Sequence, residues 1–152
     1  MNESDFAALS EHLQEVRPIF DGFCSRNAFS YVNQRSLGRY PRIRIERLGE
    51  VTIWFDLLMG LDKCGRRFEQ FRPDLPYDLG AGADVVVQDG TRYGVRFQKI
   101  IPCFIGRAFH DVAAVLQGTM EDHLRVLERW DARYLREKGE RIQLGGGSRR
   151  HP

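Results

Sequence analysis

The chain has 152 residues, 42% of them apolar and 11% aromatic, so it can form one globular core that buries roughly 70% of the surface its unfolded form exposes; it is not a disordered segment. Twenty-three Lys and Arg stand against 21 Asp and Glu, a balance that excludes a strong overall field toward nucleic acid or membrane and leaves any such contact to a local patch. Cys24, Cys64 and Cys103 are odd in number and lack C-x-x-C spacing, which argues against a disulfide framework and a thiolate zinc site and points to a reducing compartment.

The first twenty residues carry Glu3, Asp5, Glu11 and Glu15 without a basic start and an apolar run, so no signal peptide is read there. No apolar stretch approaches the roughly 20 residues that span a bilayer, and the expected location is the cytoplasm. Of the basic residues 20 are Arg, the side chain suited to bidentate and stacked contacts, although a GC-rich, bacterial-type genome yields the same skew.

Phe6, Leu9, Leu13, Val16, Phe20 and Phe23 fall three and four apart and predict an amphipathic helix opening near Asn2 or Ser4. Pro18 removes a backbone donor inside that stripe and predicts a kink or a restart. Residues 24–41 read as a partly packed connection that can hold a short strand. Ile43 and Ile45, then Ile53, Phe55 and Leu57, alternate with polar neighbours as half-buried strands do, with Gly49 at the turn between them. A three-residue loop of Leu48, Gly49 and Glu50 sets Ile43 and Ile45 across from Phe55 and Ile53, and Arg44 and Arg42 across from Trp54 and Asp56.

A turn at 62–65 precedes a predicted strand over 66–71 that Pro73 and Pro76 end. Gly80-Ala81-Gly82 lacks the third glycine and following helix of a dinucleotide loop, and reads as a loop feeding a strand. Strands over 84–88 and 91–101 flank Asp89-Gly90, read as a two-residue hairpin turn with both residues at positive φ, while the run Val85-Val86-Val87 leaves its facing open. Gly106 can cap a helix carrying Phe109, Val112, Ala113 and Leu116, and Thr119 with Glu121 and Asp122 marks a fresh helix start after Gly118; one broken helix or two fit equally. Leu124, Leu127, Trp130 and Tyr134 share a face opposite Arg125, Arg129, Arg133 and Arg136. The expected fold is α+β: an antiparallel meander sheet of four to five strands with an N-terminal helix and a long C-terminal helical segment, one domain over 1–144, with a flexible tail over 145–152.

Catalytic signatures are missing from the sequence. His12, His110, His123 and His151 form no H-E-x-x-H or mixed ligand motif, so no metal and no cofactor are expected, and no nucleophile motif names a family. Cys64, beside Lys63, Arg66 and Arg67, is the one thiol set to ionise easily, and an inert turn cysteine is the simpler reading. Asp56, Glu69, Asp74, Asp78 and Asp84 offer carboxylates for acid and base work, against the simpler reading that Asp74 and Asp78 make turns and Asp56 pairs with Arg42. The leading binding surface is the polar sheet face of Arg42, Arg44, Trp54 and Asp56, extended by Arg92 and Arg96, because Arg and exposed Trp anchor interfaces; a cross-strand cation–π pair and a salt pair on a solvated face are the simpler account. The favoured function is a small non-catalytic domain that binds, and inhibits or scaffolds, another protein, with no membrane partner. The alternatives are single-stranded nucleic acid on the same face and a small carboxylate-dependent hydrolase or transferase.

Overall fold

In the computed structural model, residues 3–33, 41–59, 76–101 and 109–142 are described. Helices α1 (Glu3–Leu13) and α2 (Arg17–Asn27) precede strands β1 (Ser30–Tyr31), β2 (Arg42–Arg47), β3 (Thr52–Met59), β4 (Tyr77–Val86) and β5 (Arg92–Ile101). Helices α3 (Phe109–Leu127) and α4 (Ala132–Lys138) and strand β6 (Glu140–Ile142) follow. The strands form one antiparallel sheet in the order β1-β2-β3-β4-β5-β6, a meander in which each strand lies beside its sequence neighbours. The fold is the expected α+β arrangement with one strand more than expected.

Pro18 restarts the first stripe. The α1 helix ends at Leu13, and Pro18 occupies the first turn of α2, where a missing N–H costs nothing because no carbonyl awaits it. Leu13, Val16, Phe20 and Phe23 still reach one core, where Phe23 and Phe29 pack edge-on or tilted around Phe55 with ring centroids 5.1 to 5.6 Å apart. The α3 helix runs unbroken through Gly118, so Thr119 starts no new helix; it is buried mid-helix. The break comes later, where the Asp131 carboxylate accepts the Tyr134 N–H at 2.8 Å and caps α4. Arg26–Glu121 at 3.0 Å ties α2 to α3, and Arg47–Glu128 at 2.7 Å ties β2 to the residue that follows α3.

All four helices lie on one side of the sheet, where Ile43, Ile45, Ile53, Phe55, Leu57, Leu79, Ala81, Ala83 and Val85 join them in one core. On β5 the same side carries Phe97, against which His123 stacks and Trp130 tilts, with Tyr134 parallel to Trp130 beyond. Val85 faces this core and Val86 the other side.

Four sequence readings need correction. The last pair of β2 and β3 is Arg47 with Ile53, so the connection between paired residues runs over 48–52, two residues longer than expected, and Ile43 pairs with Leu57, Ile45 with Phe55, Arg44 with Asp56 and Glu46 with Trp54. A shift of two residues preserves every side chain's face, so alternation alone cannot detect it; both registers offer two apolar pairs and an arginine across from Asp56. Gly80-Ala81-Gly82 is no loop but mid-strand in β4, and Asp78 makes no turn but pairs with Leu58 and Ile100. At the β4–β5 hairpin only Gly90 has positive φ, 84°; Gly90 N–H bonds Val87 O and Val87 N–H bonds Thr91 O, which makes a three-residue loop of Gln88, Asp89 and Gly90 with the glycine in the left-handed position. The C-terminal helical segment is present as expected and runs to Lys138, and beyond it the additional strand β6 pairs with Arg92 to Gly94. The strand expected at 66–71, the Gly106 cap, Cys64 with its basic neighbours, Glu69, Asp74 and the tail over 145–152 lie outside the described residues.

Candidate interaction surface

Strand alternation sends Arg42, Arg44, Trp54, Asp56, Arg92 and Arg96 to the side of the sheet that no described helix covers. Register arranges them in rows: Glu46, Trp54, Gly82 and Arg96 form one, and Arg44, Asp56, Gly80 and Gln98 the next. Six residues separated by up to 54 positions thus share one surface.

Trp54 was expected to stand exposed, and instead it is 9% exposed without belonging to the helix-covered core. The glycines explain this. A Cβ on Gly82 would fall 2.5 Å from Trp54 Cζ2 and one on Gly80 3.3 Å from Trp54 Cζ3, so the indole lies flat across the bare backbone of β4. The Arg44 guanidinium covers its other side, 4.6 Å from the ring centroid. Trp54 is therefore a filled layer between backbone and arginine, not a protruding anchor.

Charges on this face are closed into local sets. The Asp56 carboxylate takes Arg42 at 3.3 Å and Arg44 at 3.4 Å, and Arg44 also reaches Glu46 at 3.0 Å. Asp84 takes Arg92 at 3.3 Å, and both carboxylate oxygens of Asp78 accept from the Gln98 amide at 2.8 and 2.9 Å. The buried Trp54 N–H and Asp84 Oδ1 lie on the same face without a hydrogen bond of ordinary geometry between them. Burial pushes the Asp84 carboxyl above the ordinary 3.8; the Arg92 and Trp54 donors and the charges of Arg92 and Arg96 oppose that shift without cancelling it.

What remains on the surface is cationic and partly apolar. Arg44 keeps 20% of its side chain exposed, Arg96 is exposed with no ion pair among the described residues, and Val86 and Ile100 stand 53% and 51% exposed. A cleft of about 370 Å3 opens at the end of this face near Gly49, lined by Glu50, Thr52, Asp84, Val86, Arg92 and Arg136, and of the three outer-face aspartates only Asp84 reaches it. The three carboxylates each hold their own cationic or amide partner and do not converge on one point.

Gly80, Gly82, Asp78, Asp84 and Gln98 complete this surface and were not among its expected members. A visible signal existed for the glycines: G-x-G with period 2 in one strand, beside a strand carrying one large aromatic, marks a close approach. Among the described residues, no three metal-binding side chains cluster and no helix is long and apolar enough to cross a membrane. Comparison with known proteins finds no match among family models, curated proteins or solved structures.

Proposed function

We propose that this chain is a non-catalytic domain that binds another protein in the cytoplasm, with the outer sheet face as its contact surface. The observation that carries the reading is the ordered guanidinium layer: Arg44 is held on the Trp54 ring and gives its Nε and Nη1 donors to Glu46 and Asp56, so its exposed part is fixed in place with little entropy left to lose on binding. Exposed Val86 and Ile100 add apolar area on the same face. Trp54 contributes by holding Arg44 in place, and the contact energy belongs to the arginines.

The test is capture of partners from native lysate on the immobilised protein with nuclease present, followed by titration of the partner found. Arg44→Ala is expected to weaken binding about tenfold or more, with modest salt dependence. Loss of capture with nuclease, or affinity falling steeply with salt as phosphates are given up, would move the assignment to nucleic acid. Turnover abolished by Asp84→Asn with the fold intact would move it to an enzyme.

A further inference from the structure

The β5 strand is paired over its full length on one side and only at Arg92 to Gly94 on the other. Because Val87 N–H bonds Thr91 O, odd-numbered residues of β5 turn their backbone groups to β4 and even-numbered ones turn theirs away. Arg96, Gln98 and Ile100 therefore direct N–H and C=O groups outward, with no strand partner among the described residues. Their side chains, with that of Lys99, are exposed.

Natural sheets shield such an edge or use it. Lys99 sits on the helix side of the strand, an inward charge that opposes pairing of this edge with itself, and two copies would also bring two Arg96 and two Lys99 together. The nearby carboxylate of Asp78 is buried and committed to Gln98, and Glu140 flanks only the already paired end. Next to the open backbone, on the helix side, lie partly buried Val95 and Phe97.

We infer that the open edge of β5 from Arg96 to Ile100 receives an extended acidic segment of a partner protein as an added strand. Its carboxylates fall beside Arg96 on the outer face and its apolar residues beside Val95 and Phe97 on the other. The inference rests on the protein-binding reading above and names the chemistry of the partner.

The probe is a blocked hexapeptide alternating valine and glutamate, titrated into the isotope-labelled chain by amide NMR, with hydrogen exchange read at Arg96, Gln98 and Ile100. Those three amides are expected to exchange fast in the free protein, to shift on titration and to become protected. Backbone N-methylation of the peptide should abolish the effect, as should replacement of its glutamates by lysine, and Arg96→Glu should weaken it tenfold or more. Ile100→Pro removes a donor that the sheet itself does not use and should also weaken binding; the methylated peptide keeps the test valid if that variant fails to fold. No shift at these amides up to millimolar peptide overturns the inference. So do protection already present in the free chain, which assigns the edge to a segment of this protein, protection that grows with protein concentration, which assigns it to a second copy, and equal shifts with an oligothymidylate. A native partner that depends on Arg44 while leaving these amides unmoved would sink the edge proposal and spare the broader reading.

Discussion

The two faces of this sheet bury side chains by different physics. On the helix side of β3, Ile53, Phe55 and Leu57 disappear under apolar side chains from α2 and α3, and the driving force is area removed from water. On the other side of the same strand Trp54, Asp56 and Leu58 are also buried, yet Trp54 is enclosed by bare glycine backbone and a guanidinium, and Asp56 by two arginines. The first face tolerates any set of apolar side chains of the right total volume. The second depends on particular atoms being absent, the Cβ of Gly82 above all.

Substitutions can break that contrast. The largest effect belongs to Phe55→Ala, which opens a cavity between Phe23 and Phe29 and should cost about 3–5 kcal/mol in denaturant unfolding; a cost below about 1 kcal/mol would mean that the helix side is loosely packed. Gly82→Ala adds only a methyl group, but places it 2.5 Å from the indole, and should cost about 1–3 kcal/mol by overpacking, with Gly80→Ala costing less because its contact is 3.3 Å. Equal costs at the two glycines would show that the indole swings away freely and that the outer layer is not locked.

Asp84 gives the smallest effect and the one that depends on pH. Its carboxyl titrates above 3.8 in the folded chain, so between 3.8 and the native value the folded state holds more protons than the unfolded, and stability falls as pH rises through that window. The penalty is largest above that window. Asp84→Asn should therefore be more stable than the parent at pH 7, and the difference should shrink as pH falls through that window toward 3.8 and level off below it, measured by thermal melts across that range. A variant less stable at pH 7 would mean that the Arg92 pair outweighs the burial of the carboxylate.

The helix face is legible in the sequence because alternation reports a face directly: Ile43, Ile45, Ile53, Phe55 and Leu57 fall on one side by period two alone. The outer face was legible only as a set of residues. Arg42, Arg44, Trp54 and Asp56 do share it, but which ones touch depends on a register two residues from the expected one, and periodicity is blind to a shift of two. Whether Trp54 stood out or lay flat depended on Gly80 and Gly82, which look like loop residues until β4 is seen beside β3. The β6 strand had no sequence signal, since three residues are too few to show a period and their pairing is dictated by Gly139 meeting Gly94 at close range.

The unbroken order of the meander also sets how the molecule assembles. From β1 to β5 every strand finds its partner in the next segment of chain, so that part of the sheet can form as a series of local ring closures, each with a modest entropic barrier, while β6 joins β5 only after α3 and α4. The contacts that close the molecule are of another kind: Arg26 with Glu121 and Arg47 with Glu128 join residues 95 and 81 positions apart. Docking of α3 against α2 and β2 thus has the longest reach along the chain. A chain released stepwise from its N-terminus can build β2 and β3 while α3 is still unmade, and for that interval the apolar side of β3 is shielded by α2 alone.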